Sequence, residues 1–334
     1  MAKNCGKTTT LNGLIARRRR LGHEPPALLS IGVDGERQDA FLKTDKPTIE
    51  VREGQWFVTA QQALAQSRAR VEYVRELKGE TPLGPVFICR ALERATIMLG
   101  GLRHRQEMEE AIRQLEILGA PAIWIDGAYG RVTGAHPALS DAAVVATGAI
   151  CGKDVEKVAK KTASMVSKLG CPAIEEGLES GQKAAIGELL RGGQPGVVGD
   201  DGVRPLETRS ALLGLEEVAQ MEPHQRRAVV IPGVVTEGIV EELLAIGRGR
   251  LYLSDPTVLQ LDVAPWERLV EAWDPRVWRS VEVVGVSYNP TSVTGIAMEA
   301  SAMEKALRAR IDGVPIFDGM APGLSLIGDG LADV

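Results

Sequence analysis

The sequence predicts an α/β fold, a mostly parallel sheet flanked by helices, with a second, smaller α/β unit. Three observations carry this. Helix-period segments alternate with short apolar runs that end in Asp or Gly, the order that builds parallel sheets. Aromatic residues are only 4% of the chain while Gly and Pro number 37 and 18, which suits an Ala/Gly/Val-rich α/β protein with many tight turns better than a β-sandwich. At 334 residues the chain has room for about two domains of ~150 residues, each able to bury a core. A Gly/Asp/Pro-rich stretch at 192–205 sets the expected boundary, between residues 1–190 and 191–334.

Composition removes several classes. A hydrophobic share of 44% and a charged share of 25% exclude a disordered or collagen-like chain. A net charge of −5 and a pI near 5.6 supply no global positive field for nucleic acid or an anionic membrane. Cys5, Cys89, Cys151 and Cys171 show no CxxC spacing, so reduced thiols in a cytoplasmic protein are expected rather than a zinc site or disulfide framework. No apolar run reaches the ~18 residues of a membrane span.

Element by element, the first signal is the strongest. Ala2-Lys3-Asn4-Cys5-Gly6-Lys7-Thr8-Thr9-Thr10 reads as a glycine-bearing loop opening the helix that continues through Leu11 to Ala16. In the Walker A pattern G-x-x-x-x-G-K-[ST], backbone amides wrap phosphates, the lysine reaches the β and γ oxygens, and the next hydroxyl binds Mg²⁺. Gly6, Lys7 and Thr8 fill its last three positions, and Asn4, Cys5 and Thr9 line the same loop. The fold expected is therefore P-loop NTPase-like, with ATP and Mg²⁺ as ligands. Met1 stands where the first glycine belongs and the leading strand would lie before it, so the first domain is expected to lack its first strand and the natural chain to start upstream. A plain surface helix cap is the competing reading. Arg17 to Arg20 close the helix, where cations suit the negative end of its dipole.

Ala27 to Gly32 comes next as a strand, leading to Asp34 and Glu36, candidates for an Mg²⁺ second shell or for positioning water; an ordinary Asp-Gly turn is the alternative. Thr48 to Arg52 and Gln55 to Thr59, separated by Glu53-Gly54, read as a hairpin. Val71 to Leu77 and Gly84 to Arg90 form a second pair, and residues 103–118 an amphipathic helix with Met108, Ile112, Leu115 and Leu118 inward. Pro121 to Gly127 is an apolar strand ending in Asp126 before a glycine, the form of a Walker B strand whose carboxylate holds Mg²⁺ through water. Lys7, Asp34 and Asp126 are thus the candidate catalytic residues, and Thr8 and Asp126 the metal pair.

Asp141 to Ala149 is a further strand, and Val155 to Leu169 a lysine-bearing helix with a solvated face. His23, His104, His136 and His224 show no paired spacing, and neither G-x-S-x-G nor H-E-x-x-H occurs. Beyond the break, strands at 228–231, 250–253 and 281–287 alternate with helices near 237–247 and 299–311 and end in Val314 to Phe317. Asn289-Pro290-Thr291-Ser292 follows a strand, the usual place for a ligand loop, but Asn-Pro is also a plain turn signal, and the turn is the favoured reading.

Residues 2–12, S-I-G-V-D-G-E at 30–36, W-I-D-G-A-Y-G-R at 124–131, S-D-A-A-V-V-A-T-G-A at 140–149, V-S-Y-N-P-T-S at 286–292 and V-P-I-F-D at 314–318 together resemble the B subunits of lysine 5,6-aminomutase reactivases, in order and over nearly the whole chain. The resemblance implies a nucleotide-dependent chaperone working with a MutS-like ATPase subunit on an adenosylcobalamin- and pyridoxal-phosphate-dependent aminomutase whose cobalamin has been damaged. Lys7 and Thr8 then serve phosphate and Mg²⁺, with Asp34 and Asp126 as the acidic residues after strands. No [NT]-K-x-D guanine-reading loop is present, which favours ATP over GTP. The alternatives are a non-catalytic binding subunit with a relic loop, and a GTPase chaperone of cobalamin enzymes. A small-molecule kinase or ligase lacks a supporting substrate constellation. Whether the chain hydrolyses ATP is left open.

Overall fold

Gly6 adopts φ 99°, a left-handed conformation open to glycine without strain, and the chain turns there into helix α1, Lys7–Arg20. The structure, a computed structural model, describes residues 5–31, 48–127, 132–174, 178–292 and 295–321. The chain is mixed α/β and divides into two units, Met1–Thr162 with Val284–Val334, and Ala163–Val283.

In the first unit, β1 (Ala27–Ser30) is an inner strand of a five-stranded sheet. It runs parallel to β7 (Ile123–Asp126), with Ser30 opposite Asp126, and parallel to β3 (Trp56–Ala60) on its other side. The sheet is completed by β5 (Gly84–Ala91) antiparallel to β3, and β4 (Val71–Thr81) antiparallel to β5. β1 is apolar at consecutive positions because both its faces are covered. Leu29 joins Ala27, Val58, Ile88, Met108 and Leu115 on one face. Leu28 joins Leu11, Phe57, Leu64 and Ile97 on the other. Helix α2 (Gln61–Ser67) sends Leu64 to the second face, and α3 (Arg105–Ile117) sends Met108, Ala111 and Leu115 to the first. The Glu107 carboxylate caps α3 by accepting from the Arg103 and His104 amides, each at 3.1 Å.

The hairpin expected from 48–52 and 55–59 does not form. β2 (Ile49–Val51) pairs instead with β6 (Ala95–Ile97), Ile49 opposite Ile97, in a separate two-stranded sheet. The intervening turn, with the Gln55 amide bonded to the Arg52 carbonyl at 3.0 Å, redirects the chain. Gln55 is itself buried and donates to the Pro26 carbonyl at 2.9 Å, which fixes the entry of β3 beside β1. Burial on both faces explains the outcome: Phe57 and Val58 are sealed only in a central strand. The pair at 71–77 and 84–90 does form, as β4 and β5.

A three-stranded sheet of order β15-β14-β8 joins Ile316–Asp318 (β15), Glu282–Asn289 (β14) and Ala142–Gly148 (β8). Helix α4 is Val155–Leu169. The second unit has the order β10-β9-β11-β12-β13. β9 (Gly196–Gly199) and β10 (Gly202–Pro205) form a hairpin, while β11 (Ala228–Ile231), β12 (Gly249–Leu253) and β13 (Trp273–Val277) run parallel. Helices α5 (Ser180–Gly192), α6 (Ala211–Ala219), α7 (Glu237–Ile246) and α8 (Val263–Ala272) accompany this sheet. Leu243, Leu251, Leu269 and Trp273 share its core. Residues 192–205 therefore lie inside the second unit, whereas β15 and helix α9 (Ala300–Arg308) belong to the first. Among the described residues no helix is long and apolar enough to cross a membrane.

Phe57 is fully buried. Phe57→Ala is expected to destabilise the first unit by about 3–5 kcal/mol in denaturant titration. Ile117→Ala, at a side chain 68% exposed, is expected to change stability by no more than about 0.5 kcal/mol.

Candidate functional site

The first turn of α1 is held by the carboxyl ends of three strands. Thr8 Oγ1 donates to Asp126 Oδ2 at 3.2 Å, at the end of β7. Cys5 Sγ donates to the Ala146 carbonyl at 3.3 Å, on β8. Thr10 Oγ1 and Ser287 Oγ lie 2.8 Å apart, joining the helix to β14. Gly148, at the end of β8, meets β14 so closely that a Cβ would fall 2.7 Å from the Asn289 carbonyl oxygen. In turn, the Tyr288 hydroxyl donates to Glu304 on α9 at 3.2 Å, and burial followed by the Glu304 charge pushes its pKa up to about 12.

The helix start carries no acidic residue in its first turn. Its leading amides have no acceptor within the helix, and together with the dipole they favour an anion. Lys7 Nζ lies 3.9 Å from Cys5 Sγ, which keeps a cation beside the turn. Among the described residues no group of three or more His, Cys, Asp or Glu side chains could hold a metal. Thr8 and Asp126 supply two hard oxygen donors, a set that fits Mg²⁺, which takes its other ligands from phosphate oxygens and water.

The sequence-predicted residues Gly6, Lys7, Thr8 and Asp126 are brought together here, with Thr9 on the same turn. Cys5 is 2% exposed, and a hydrogen bond with Cys151, then burial, holds its thiol far above the usual range. Its backbone rather than its sulfur is thus left for a ligand. Asn4, Asp34 and Glu36 lie outside the described residues. Sequence reasoning did not select Thr10, Gly148, Ser287 or Asn289. Gly148 and Asn289 each sit at the end of an apolar strand, a position that signals nearness to a ligand site in a parallel sheet.

In the second unit, a cleft of about 500 Å³ is lined by Cys171, Trp266, Trp273 and Asp274 among others. It lies at the amino ends of β12 and β13, away from the carboxyl ends where parallel sheets hold ligands.

Gly148→Ala is expected to lower the melting temperature, because the new Cβ meets a backbone oxygen; the cost is about 1–3 kcal/mol. Gly181→Ala, in open space within α5, is expected to leave it unchanged or raise it. Burial pushes Cys89 and Cys171 up to about 12, so at pH 8 they are protonated in the folded state and become more reactive as pH rises or the chain unfolds. Thiol titration with a disulfide reagent is expected to be slow for the native protein and complete in denaturant.

No protein-family model, no curated protein and no solved structure matches this chain, so its chemistry is read from its own geometry.

Proposed function

We propose that this chain is a P-loop NTPase-like, nucleotide-binding subunit that takes Mg-ATP at Gly6-Lys7-Thr8. The observation that carries this reading is the 3.2 Å hydrogen bond from Thr8 to Asp126, which sets a hydroxyl and a carboxylate 118 residues apart side by side at a helix start preceded by a left-handed glycine. The first-turn amides and Lys7 would bind the phosphates, and Thr8 with Asp126 would orient the ion. When bound, Mg²⁺ supplies charge neutralisation between the outer phosphates.

The finer role rests on the motif resemblance. It is a reactivating chaperone, acting with a MutS-like ATPase subunit on an adenosylcobalamin- and pyridoxal-phosphate-dependent aminomutase. Four cysteines, all buried and none in a disulfide, suit a reducing compartment and support a cytoplasmic setting. ATP is favoured over GTP by the absence of an [NT]-K-x-D loop.

Calorimetric titration of Mg-ATP and Mg-GTP into the full chain tests the reading. Saturable binding is expected, tighter for ATP. Lys7→Ala is expected to weaken it by roughly 10- to 100-fold, the scale of one charge-assisted contact. Asp126→Asn is expected to weaken binding with Mg²⁺ present while leaving binding in EDTA unchanged. Absence of saturable binding, or equal affinities in wild type and Lys7→Ala, would overturn the proposal. Phosphate release in the same samples separates an ATPase from a non-catalytic binding subunit, and tighter GTP binding would identify the rival GTPase chaperone.

A further inference from the structure

We propose that Cys5 and Cys151 form a modification site for thiol oxidants of the peroxide class, and that the disulfide they close pulls the Gly6 turn out of shape; the effect on ligand rests on the phosphate-binding role of that turn. Two thiols far apart in the sequence are brought into hydrogen-bond contact here. Cys5 precedes Gly6 at the start of α1, and its Sγ donates to the Ala146 carbonyl at 3.3 Å, on β8. Cys151 ends the short helical turn Ala149–Cys151 that follows β8. Lys161 Nζ on α4 donates to the Cys151 carbonyl at 2.9 Å and anchors that turn. Cys89 and Cys171 are placed differently. Cys89 packs with Leu28 and Phe57, and Cys171 with Leu269 and Trp273, each the lone thiol of its apolar cluster among the described residues.

Cys5 and Cys151 are 2% and 8% exposed, yet each is followed by a partly exposed glycine, Gly6 and Gly152, which carries no side chain to screen the sulfur from a small oxidant. Lys7 Nζ, 3.9 Å from Cys5 Sγ, favours the thiolate there, against the Cys151 hydrogen bond and the burial that keep the thiol protonated. The scarce thiolate makes the reaction slow at neutral pH and faster as pH rises. Once formed, the Cys5 thiolate attacks one peroxide oxygen and breaks the O–O bond. Cys5 becomes a sulfenic acid, and the released hydroxide takes up the thiol proton as water. Cys151 then attacks the sulfenic sulfur, so that the S–S bond forms, the S–O bond breaks, and the leaving hydroxide departs with the Cys151 proton as a second water. Two thiols are oxidised and one peroxide is reduced. A disulfide bond is far shorter than a hydrogen bond between thiols. Closing it removes the S–H that binds the Ala146 carbonyl, takes the thiol from beside Lys7 and draws the residue preceding Gly6 toward the Ala149–Cys151 turn.

The test exposes the reduced full chain to hydrogen peroxide, then unfolds, alkylates and maps it by mass spectrometry. The expected product is two hydrogens lighter, with Cys5 joined to Cys151 and with Cys89 and Cys171 alkylated, and dithiothreitol is expected to reverse it. Calorimetry of Mg-ATP on the same samples is expected to show a loss of roughly tenfold or more on oxidation, recovered on reduction. Cys151→Ser, with a thermal melt to confirm that it folds, is expected to keep the ATP affinity of the reduced wild type within about twofold. Under peroxide it is expected to form no cross-link and to stop at a Cys5 sulfenic acid that dimedone labels. Recovery of Cys5 and Cys151 as alkylated thiols, or a cross-link between any other pair, would overturn the site. A cross-linked chain that binds Mg-ATP as tightly as the reduced one would overturn the coupling to the Gly6 turn. Reduced wild type that binds no Mg-ATP would overturn the phosphate-binding reading and the coupling with it, while the cross-link map still decides the site.

Discussion

The candidate site depends on one constraint: the start of α1 is tied to strands that lie 118, 141 and 277 residues away in the sequence. None of these contacts is large alone, since a neutral side-chain hydrogen bond contributes about 1 kcal/mol net and one to a carboxylate, such as Thr8 to Asp126, about 1.5–3 kcal/mol. Their effect is geometric. They hold the leading amides, a lysine, two hydroxyls and a carboxylate within one turn of helix, and they do so where the dipole of α1 is positive. Gly6 makes the arrangement possible because its left-handed backbone lets the chain enter the helix tightly against β14.

Packing explains why these ties persist. β1 contributes Leu28 to one core cluster and Leu29 to another, so the strand is clamped between two apolar layers and β7 is registered beside it, Ser30 against Asp126. Sliding β7 by one residue would turn Ile125 and Trp124 to the wrong faces and withdraw Asp126 from Thr8. The carboxylate is thus positioned by hydrophobic burial several residues upstream of it. Similarly, Gly148 sets the approach of β8 to β14, and Tyr288 ties β14 to α9. A site residue in this protein is held by what its strand buries more than by its own bonds.

Cysteine chemistry is accordingly muted. All four thiols are buried, and Cys5, although it adjoins the glycine turn, is held protonated by Cys151 and by exclusion of water. Its side chain secures β8, which leaves the loop to present backbone.

Much of this is legible in the residues themselves. C-G-K-T-T-T marks a helix start, because a left-handed glycine followed by helix-forming residues is a local backbone signal, and it is the pattern on which the proposed nucleotide site rests. The apolar run ending in Asp126, the β4–β5 pair and the α3 periodicity are also local signals, and each element forms where expected. What a local pattern cannot hold is which strand finds which neighbour. The runs at 49–51 and 56–60 look like two arms of a hairpin, but burial of Phe57 and Val58 on both faces draws one of them into the centre of a sheet. Asn289-Pro290 looks like a turn, and it is one, since Oδ1 caps Thr291. That its other amide atom faces Gly6, 283 positions earlier, is decided only when β14 packs beside β8. By itself, then, the sequence determined the chemistry of single segments, through spacing and local backbone preference. The tertiary structure decided their juxtaposition, because strand order and register are set by burying both faces of each sheet at once.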